Sequence, residues 1–255
     1  YLHRLGGGTH AAFQRLVLAA SPAGERLIKG LLYRLLPRHR RQRRRQAELL
    51  QRPGVEVLAV SEFVARQVRE TAPGLPPERV HVLHNGVDIE RFHAGGEGRA
   101  EARRRLGLEP EAVAFLLVAH NLRLKGFPLL AEVFSALHRD CPQARLVLLG
   151  RHAPARPAPW LVYAGASGTP EAIYQAADAL VHPTLYDACA NVVLEALACG
   201  LPVVSSDRNG SAEVLTPDRD GMVLPVVGNH AEIVMQWRDA VRLLATQPER
   251  RKALG

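Results

Sequence analysis

Eight short apolar runs recur along the chain, with amphipathic stretches between them. They are VEVLAV (55–60), RVHVL (79–83), AVAFLLVA (112–119), ARLVLLG (144–150), WLVYAG (160–165), ALVHP (179–183), LPVVSS (201–206) and GMVLPV (221–226). Within each run the apolar character is continuous rather than alternating. Strands covered on both faces read this way, and such strands belong to parallel sheets. The intervening stretches predict helices. Ser61 is placed to N-cap EFVARQVRET, its hydroxyl accepting from an orphan backbone N–H. FPLLAEVFSALHRD (127–140) carries an apolar face at helical spacing, starts beside Gly126 and stops before Pro142. HAEIVMQWRDAVRLLATQ (230–247) is another such helix. Strand alternating with helix predicts an α/β fold with right-handed crossovers and helices on both sheet faces.

Gly/Pro-rich loops punctuate this pattern at 72–78, 93–98 and 151–159. HNGVD (84–88) followed by a Gly-rich turn marks a domain boundary. Two predicted strands precede it and about six follow. We therefore expect residues 1–88 to be the end of one domain and 89–255 to be a second, nearly complete one, truncated at its C-terminus.

Composition adds little to the fold and more to the partners. Of the 255 residues 47% are apolar and 23% charged, which fits a soluble globular chain and excludes a disordered one. No apolar run approaches the roughly 20 residues of a membrane-spanning helix. Cys141, Cys189 and Cys199 are scattered without a C-x-x-C pair, so neither a disulfide framework nor a zinc site is expected and a reducing compartment fits. The start at Tyr1 leads us to expect a fragment. Residues 1–52 hold twelve Lys/Arg against two acids, while the remainder is slightly acidic. The peak, RHRRQRRRQ (38–46), reads either as a solvated helix face or as a surface for anionic membrane or phosphorylated glycolipid, the latter through the basic segment 26–52. Nucleic acid is not expected, because the segment lacks interleaved aromatics.

Candidate chemistry sits where strands end, since open α/β sheets bind ligands beyond the carboxyl ends of their strands. In VAHNLRLKG (118–126), Arg123, Lys125 and Gly126 lead into a helix. Cations beside free N–H groups make a phosphate site; a plain surface loop is the alternative. In ACANVVLEALACGLPVVSS (188–206), Glu195 is the single formal charge. A carboxylate buried in apolar sequence needs a partner, and its two oxygens suit the vicinal diol of a ribose. Asn191 and Glu195 stand four apart on one helix face; the alternative is that Asn191 caps the helix and Glu195 is solvated. In SSDRNGSAEVL (205–215), Glu213 opens toward the same crevice as a ligand or as a structural helix-start acid. DRD (218–220) matches a metal-binding D-x-D only by letters, and the eleven histidines show no ligand spacing; no metal is expected.

Together these motifs resemble the retaining family 4 glycosyltransferases of GT-B fold over roughly residues 55–250. Asp187-A-C-A-N-V-V-L-Glu195 looks like the family's E-x7-E signature, followed by EALACGLPVV. HNGVD resembles its interdomain entry, RLKG (123–126) its donor phosphate loop, and VSEFVARQV (60–68) the end of its N-terminal domain. The wording around 182–200 is closest to bacterial lipopolysaccharide-core sugar transferases.

The resemblance implies a GT-B fold: one complete Rossmann-like parallel-sheet domain plus the tail of an N-terminal one. It implies a retaining hexosyltransferase, moving a hexose from a nucleotide-diphosphate sugar, UDP-sugar favoured, to a glycan or glycolipid acceptor without a cofactor. By position it gives Glu195 the ribose, Asp187 the hexose and Lys125, with Arg123, the diphosphate. Gly150, Arg151 and Ala164 would face the base, and His10 is a candidate for the family's N-domain histidine. Two positions depart from the pattern: Asp187 is one methylene shorter than the family's Glu, and His120 stands where an Arg is usual. A cytoplasmic protein, peripheral on the inner membrane face, follows. Rival readings are a nucleotide-sugar epimerase or phosphorylase on the same architecture, and a non-catalytic module binding nucleotide sugar or lipid.

Overall fold

The computed structural model describes residues 1–95, 98–217 and 219–255. All eight apolar runs form strands, and the chain divides into two compact units. The first comprises Tyr1–Asn85, Leu185–Ala190 and Arg208–Glu213; the second comprises Gly86–Thr184, Asn191–Asp207 and Val214–Gly255.

The first unit holds a three-stranded parallel sheet in the order β1 (Leu2–Leu5), β2 (Glu56–Ala59), β3 (Val80–Val82). Strand β1 was not expected; LHRL is short, half polar and exposed at its first residue, so it carries no buried-strand signature. Between β1 and β2 run α1 (His10–Ala19), α2 (Ala23–Leu35) and α3 (Pro37–Leu50), and α4 (Glu62–Thr71) follows β2. Ser61 caps α4 as expected, its hydroxyl accepting from Val64 N at 3.1 Å. It also donates to Ala188 O at 2.6 Å, so the cap doubles as an anchor for the segment Leu185–Ala190.

The second unit is a six-stranded parallel sheet, ordered β6 (Leu161–Gly165), β5 (Ala144–Leu149), β4 (Val113–Val118), β7 (Ala179–His182), β8 (Val203–Ser206), β9 (Gly221–Leu224). Its helices are α5 (Arg99–Arg105), α6 (Phe127–Leu137), α7 (Pro170–Ala176), α8 (Asn191–Ala198), α9 (His230–Thr246) and α10 (Pro248–Ala253). Phe115, Phe134, Leu146, Leu148, Trp237 and Leu244 lie in one apolar core with at most 1% exposure. Removing each such side chain from water contributes roughly 1.5–3 kcal/mol. Trp237 keeps its indole N–H satisfied by donating to Pro225 O at 2.9 Å.

The strand order runs outward in one direction from β4 through β5 to β6, and in the other from β7 through β8 to β9. The direction in which successive strands are laid across the sheet therefore reverses between β4 and β7, which stay parallel. At such a switch point the loops beyond adjacent strand ends diverge and leave a crevice.

Candidate nucleotide-sugar site

The loop after β4 and the chain after β7 meet at this switch point. Thr184 Oγ1 donates to Leu124 O at 3.2 Å. Gly126 has φ +77°, and a Cβ there would stand 2.0 Å from Pro183 O. Glycine is thus required twice, by the left-handed backbone and by the contact. The turn carrying Arg123 and Lys125 is fixed by its own backbone: Lys125 N donates to Asn121 O at 3.0 Å, and Phe127 N donates to Leu122 O at 2.8 Å. Asn121 Oδ1 accepts from Leu124 N at 3.0 Å. The exposed Arg123 and half-buried Lys125 therefore sit immediately ahead of α6. His120, on the same loop, is exposed.

Gly150 ends β5 against β4; a Cβ there would lie 1.9 Å from Ala119 O, so no larger residue fits. Its carbonyl accepts from Tyr163 Oη at 2.9 Å. Arg151 is exposed beside it, and Ala164 lies at the end of β6. All these positions occupy the carboxyl edge of the second unit's sheet.

Asn191 opens α8 and is exposed, and Glu195, one turn on, is half-buried. The carboxylate has a protein partner that sequence reasoning missed. Tyr174 of α7, 1% exposed, donates its hydroxyl to Glu195 Oε2 at 2.5 Å. Burial first, and then the Glu195 charge, push the Tyr174 phenol well above its ordinary range. The same two influences push the Cys199 thiol up to about 11, so both groups keep their protons near neutrality. The signal that could have located Tyr174 is its place as the one phenol in the apolar stretch AIYQAADAL.

The remaining candidates fall in the first unit. Asp187 is half-buried in a loop closed by main-chain bonds: its N–H donates to Arg208 O and its carbonyl accepts from Gly210 N, each at 2.9 Å. One carboxylate oxygen accepts from Cys189 N at 3.3 Å. The two carboxylates of the D-x7-E signature thus belong to different units of the chain.

Glu213 takes the structural one of its two readings, the helix-start acid: it turns onto α4, accepting from Glu62 N at 2.8 Å and Phe63 N at 3.1 Å. His84 Nε2 is its third, very close partner. Orphan N–H groups at a helix start attract a carboxylate. The segment also forms only a 3₁₀ turn, Gly210–Val214, rather than an α-helix.

His10 begins α1 behind the N-cap Thr9. Its Nε2 lies 3.1 Å from His39 Nδ1 of α3, with the two rings stacked at 5.2 Å. Burial, then His39 and Arg43, lower its pKa, so it is held neutral inside a helix–helix contact.

Asp218 of the DRD turn lies outside the described residues, as do Gly96 and Glu97 of the Gly-rich loop. Asp220 accepts from Thr216 N at 2.6 Å and closes that turn.

A six-stranded parallel sheet with a strand-order switch point, flanked by helices, defines a Rossmann-like α/β domain. The description "Glycosyl transferases group 1" matches residues 91–243, and "Glycosyltransferase Family 4" matches residues 8–91. The chain belongs to this family of glycosyltransferases, and its fold is of the GT-B type. Alpha-maltose-1-phosphate synthase of Mycolicibacterium smegmatis is 29% identical over 222 residues, covering 78% of this chain and 56% of that protein. The chain spans about half the length of the curated relatives it matches. Among solved structures, WaaG, a glycosyltransferase involved in lipopolysaccharide biosynthesis, superposes with a TM-score of 0.80 at 20% identity. That superposition covers 99% of this chain and 68% of WaaG. Anabaena Alr3699/HepE in complex with UDP and glucose gives a TM-score of 0.71 at 18% identity, covering 99% of this chain and 70% of that one.

Proposed function

We propose that this chain carries the donor-binding half of a retaining glycosyltransferase that moves a hexose from a nucleotide-diphosphate sugar to a glycan or glycolipid. The observation that supports it most is the switch point itself. The Arg123–Lys125 turn is clasped to the chain leaving β7, on the sheet edge shared with Gly150, Arg151 and Ala164. UDP is the first nucleotide to test, since HepE holds UDP and glucose on a similar fold.

In this reading Glu195 accepts from the ribose hydroxyls and Asp187 contacts the hexose. Negative charge grows on phosphate oxygen as the glycosidic bond breaks. Lys125, Arg123 and the N–H groups opening α8 stabilise it, each preorganised donor contributing roughly 3–4 kcal/mol. No divalent ion is needed where cations already meet the diphosphate. The acceptor hydroxyl attacks from the face the leaving group departs, which retains configuration. His10 belongs to the acceptor side.

The test is calorimetry of UDP and GDP on this chain, followed by transfer of labelled hexose to a glycan or glycolipid acceptor. UDP is expected to bind in the micromolar range and more tightly than GDP, with transfer to acceptor as the product. Absence of binding by either nucleotide refutes the reading. An isomerised nucleotide sugar, or a sugar phosphate formed with inorganic phosphate, would instead identify an epimerase or a phosphorylase. Binding without turnover would identify a binding module.

A second observation favours a membrane-bound acceptor and a place on the cytoplasmic face in cell-surface polysaccharide or lipopolysaccharide synthesis. Helix α2 buries no residue; Leu27, Ile28, Leu31, Leu32 and Leu35 are all exposed, Leu27 by 78%. At 3.6 residues per turn they share one arc of about 140°. Beside them α3 carries Arg38, Arg40, Arg41, Arg43, Arg44 and Arg45. Apolar side chains flanked by guanidinium groups suit an anionic bilayer, each cation adding ~1 kcal/mol. No described helix is long and apolar enough to cross a membrane. The chain is expected to sediment with phosphatidylglycerol vesicles but not with phosphatidylcholine vesicles, and a Leu31→Glu, Leu35→Glu double variant is expected to stay in solution. Equal sedimentation with both lipids, or no effect of the variant, would remove this assignment.

A further inference from the structure

We propose that Tyr174 is a positioning residue for the donor nucleotide, aligning the Glu195 carboxylate so that its second oxygen meets the ribose diol. The inference rests on the nucleotide-sugar reading above and adds to it a residue no motif contains.

Tyr174 is buried to 1% exposure on α7, and its hydroxyl is 2.5 Å from Glu195 Oε2. Phe92 meets the ring edge-on, with centroids 5.3 Å apart and planes at 81°, and so fixes the ring. Burial and the neighbouring Glu195 charge hold the proton on the phenol, so the phenol is the donor of this bond. Among the described residues Tyr174 is the one hydrogen-bond donor to the Glu195 side chain, and Oε1 meets no protein donor.

A phenol seeking an acceptor could have used a main-chain carbonyl. Here it takes the single carboxylate of a nineteen-residue apolar stretch. A carboxylate has about four lone-pair positions. Held at one oxygen, it cannot rotate freely and presents the other at a fixed angle. A vicinal diol binds most tightly to an acceptor oriented before it arrives, because less rotamer freedom is lost on binding.

The experiment is a coupling cycle by calorimetry on the 255-residue chain, using UDP and 2′,3′-dideoxy-UDP as probes. The variants are Tyr174→Phe, which keeps the ring and deletes the hydroxyl, Glu195→Gln, and the two combined. Wild type is expected to prefer UDP to the dideoxy analogue. Tyr174→Phe is expected to weaken UDP about tenfold, the scale of one charge-assisted bond, and to leave the analogue unchanged. The double variant should bind UDP no more weakly than Glu195→Gln.

A merely structural tyrosine would weaken both nucleotides alike. That outcome overturns the proposal, as does a Tyr174→Phe protein that keeps the full diol preference while Glu195→Gln loses it. A wild type that binds UDP and its dideoxy analogue equally removes the ribose role of Glu195 itself, and a wild type that binds neither removes the nucleotide-sugar reading. If Tyr174→Phe melts too early to titrate, Phe92→Leu loosens the ring while sparing the hydroxyl. It is expected to give a smaller loss, again confined to UDP; a loss shared by both nucleotides counts against the proposal.

Discussion

Lys125→Ala lowers kcat/KM for sugar transfer by at least tenfold, and by about 10²–10³ if the ammonium meets the leaving diphosphate directly. Three features of the loop make this a clean experiment. The turn Asn121–Gly126 is closed by main-chain bonds and by the Asn121 side chain. Its contact with Pro183 is made by the Gly126 backbone and its contact with Thr184 by the Leu124 carbonyl. Those closures are made by the main chain and by Asn121, so they remain when the lysine side chain is removed, and a thermal melt separates a local loss of activity from unfolding. A charge that matters more in the transition state than in the ground state should depress kcat more than it raises KM. Steady-state kinetics at saturating acceptor, with a thermal melt of the same preparation, measures both. Activity within twofold of wild type would place the diphosphate elsewhere.

The largest loss of stability is expected from Asp178→Ala. Asp178 precedes β7 and its side chain is only 14% exposed. Its oxygens accept from Arg99 at 2.7 Å, Arg103 at 3.1 Å and Ala114 N at 2.8 Å. Arg99 also donates to Gln175 O and Ala177 O at 2.6 Å, and Arg103 donates to Ala112 O at 2.6 Å. One carboxylate thus joins α5 to the start of β4 and to the turn between α7 and β7. Alanine would leave the Arg103 charge, with a side chain 12% exposed, and a strand N–H without their anion. Breaking a buried pair in this way costs about 3–5 kcal/mol, which for a chain of this size lowers Tm by on the order of 10 °C. Asp178→Asn keeps an acceptor for Ala114 N and should lose less. Differential scanning calorimetry of both variants decides it, and a drop in Tm of only a degree or two would mean the network is dispensable.

The fold of the second unit was legible in its apolar runs because the central parallel strands β4, β5, β7 and β8 are buried on both faces and rich in Val, Leu and Ala. The same logic could not find β1, whose His3 and Arg4 interrupt any such block. The cationic turn was legible from Arg123, Lys125 and the glycine that follows. Its contact with Pro183 and Thr184 was not, since it joins residues about sixty apart along the chain. Tyr174 was hidden for a similar reason. It stands twenty-one residues from Glu195 on a helix too short to show a period. Glu213 stayed open between two readings because an acid at the end of a strand-to-turn segment serves a ligand or a helix start with equal chemical sense. Only the three donors that surround it decide between the two.

The segments Leu185–Ala190 and Arg208–Glu213 leave the second unit's sheet, join the first unit and return. Tyr186 anchors one of them, the single hydrogen of its hydroxyl shared between Gly7 O at 3.0 Å and Gln67 Oε1 at 2.9 Å, with Phe13 edge-on to the ring. For the gene, this means that a single recombination break beside Asn85 does not exchange a self-contained unit. Such a chimaera inherits foreign α1 and α4 but keeps its own Tyr186 and Glu213, so the two sides of the break must descend together or change in concert at those seats.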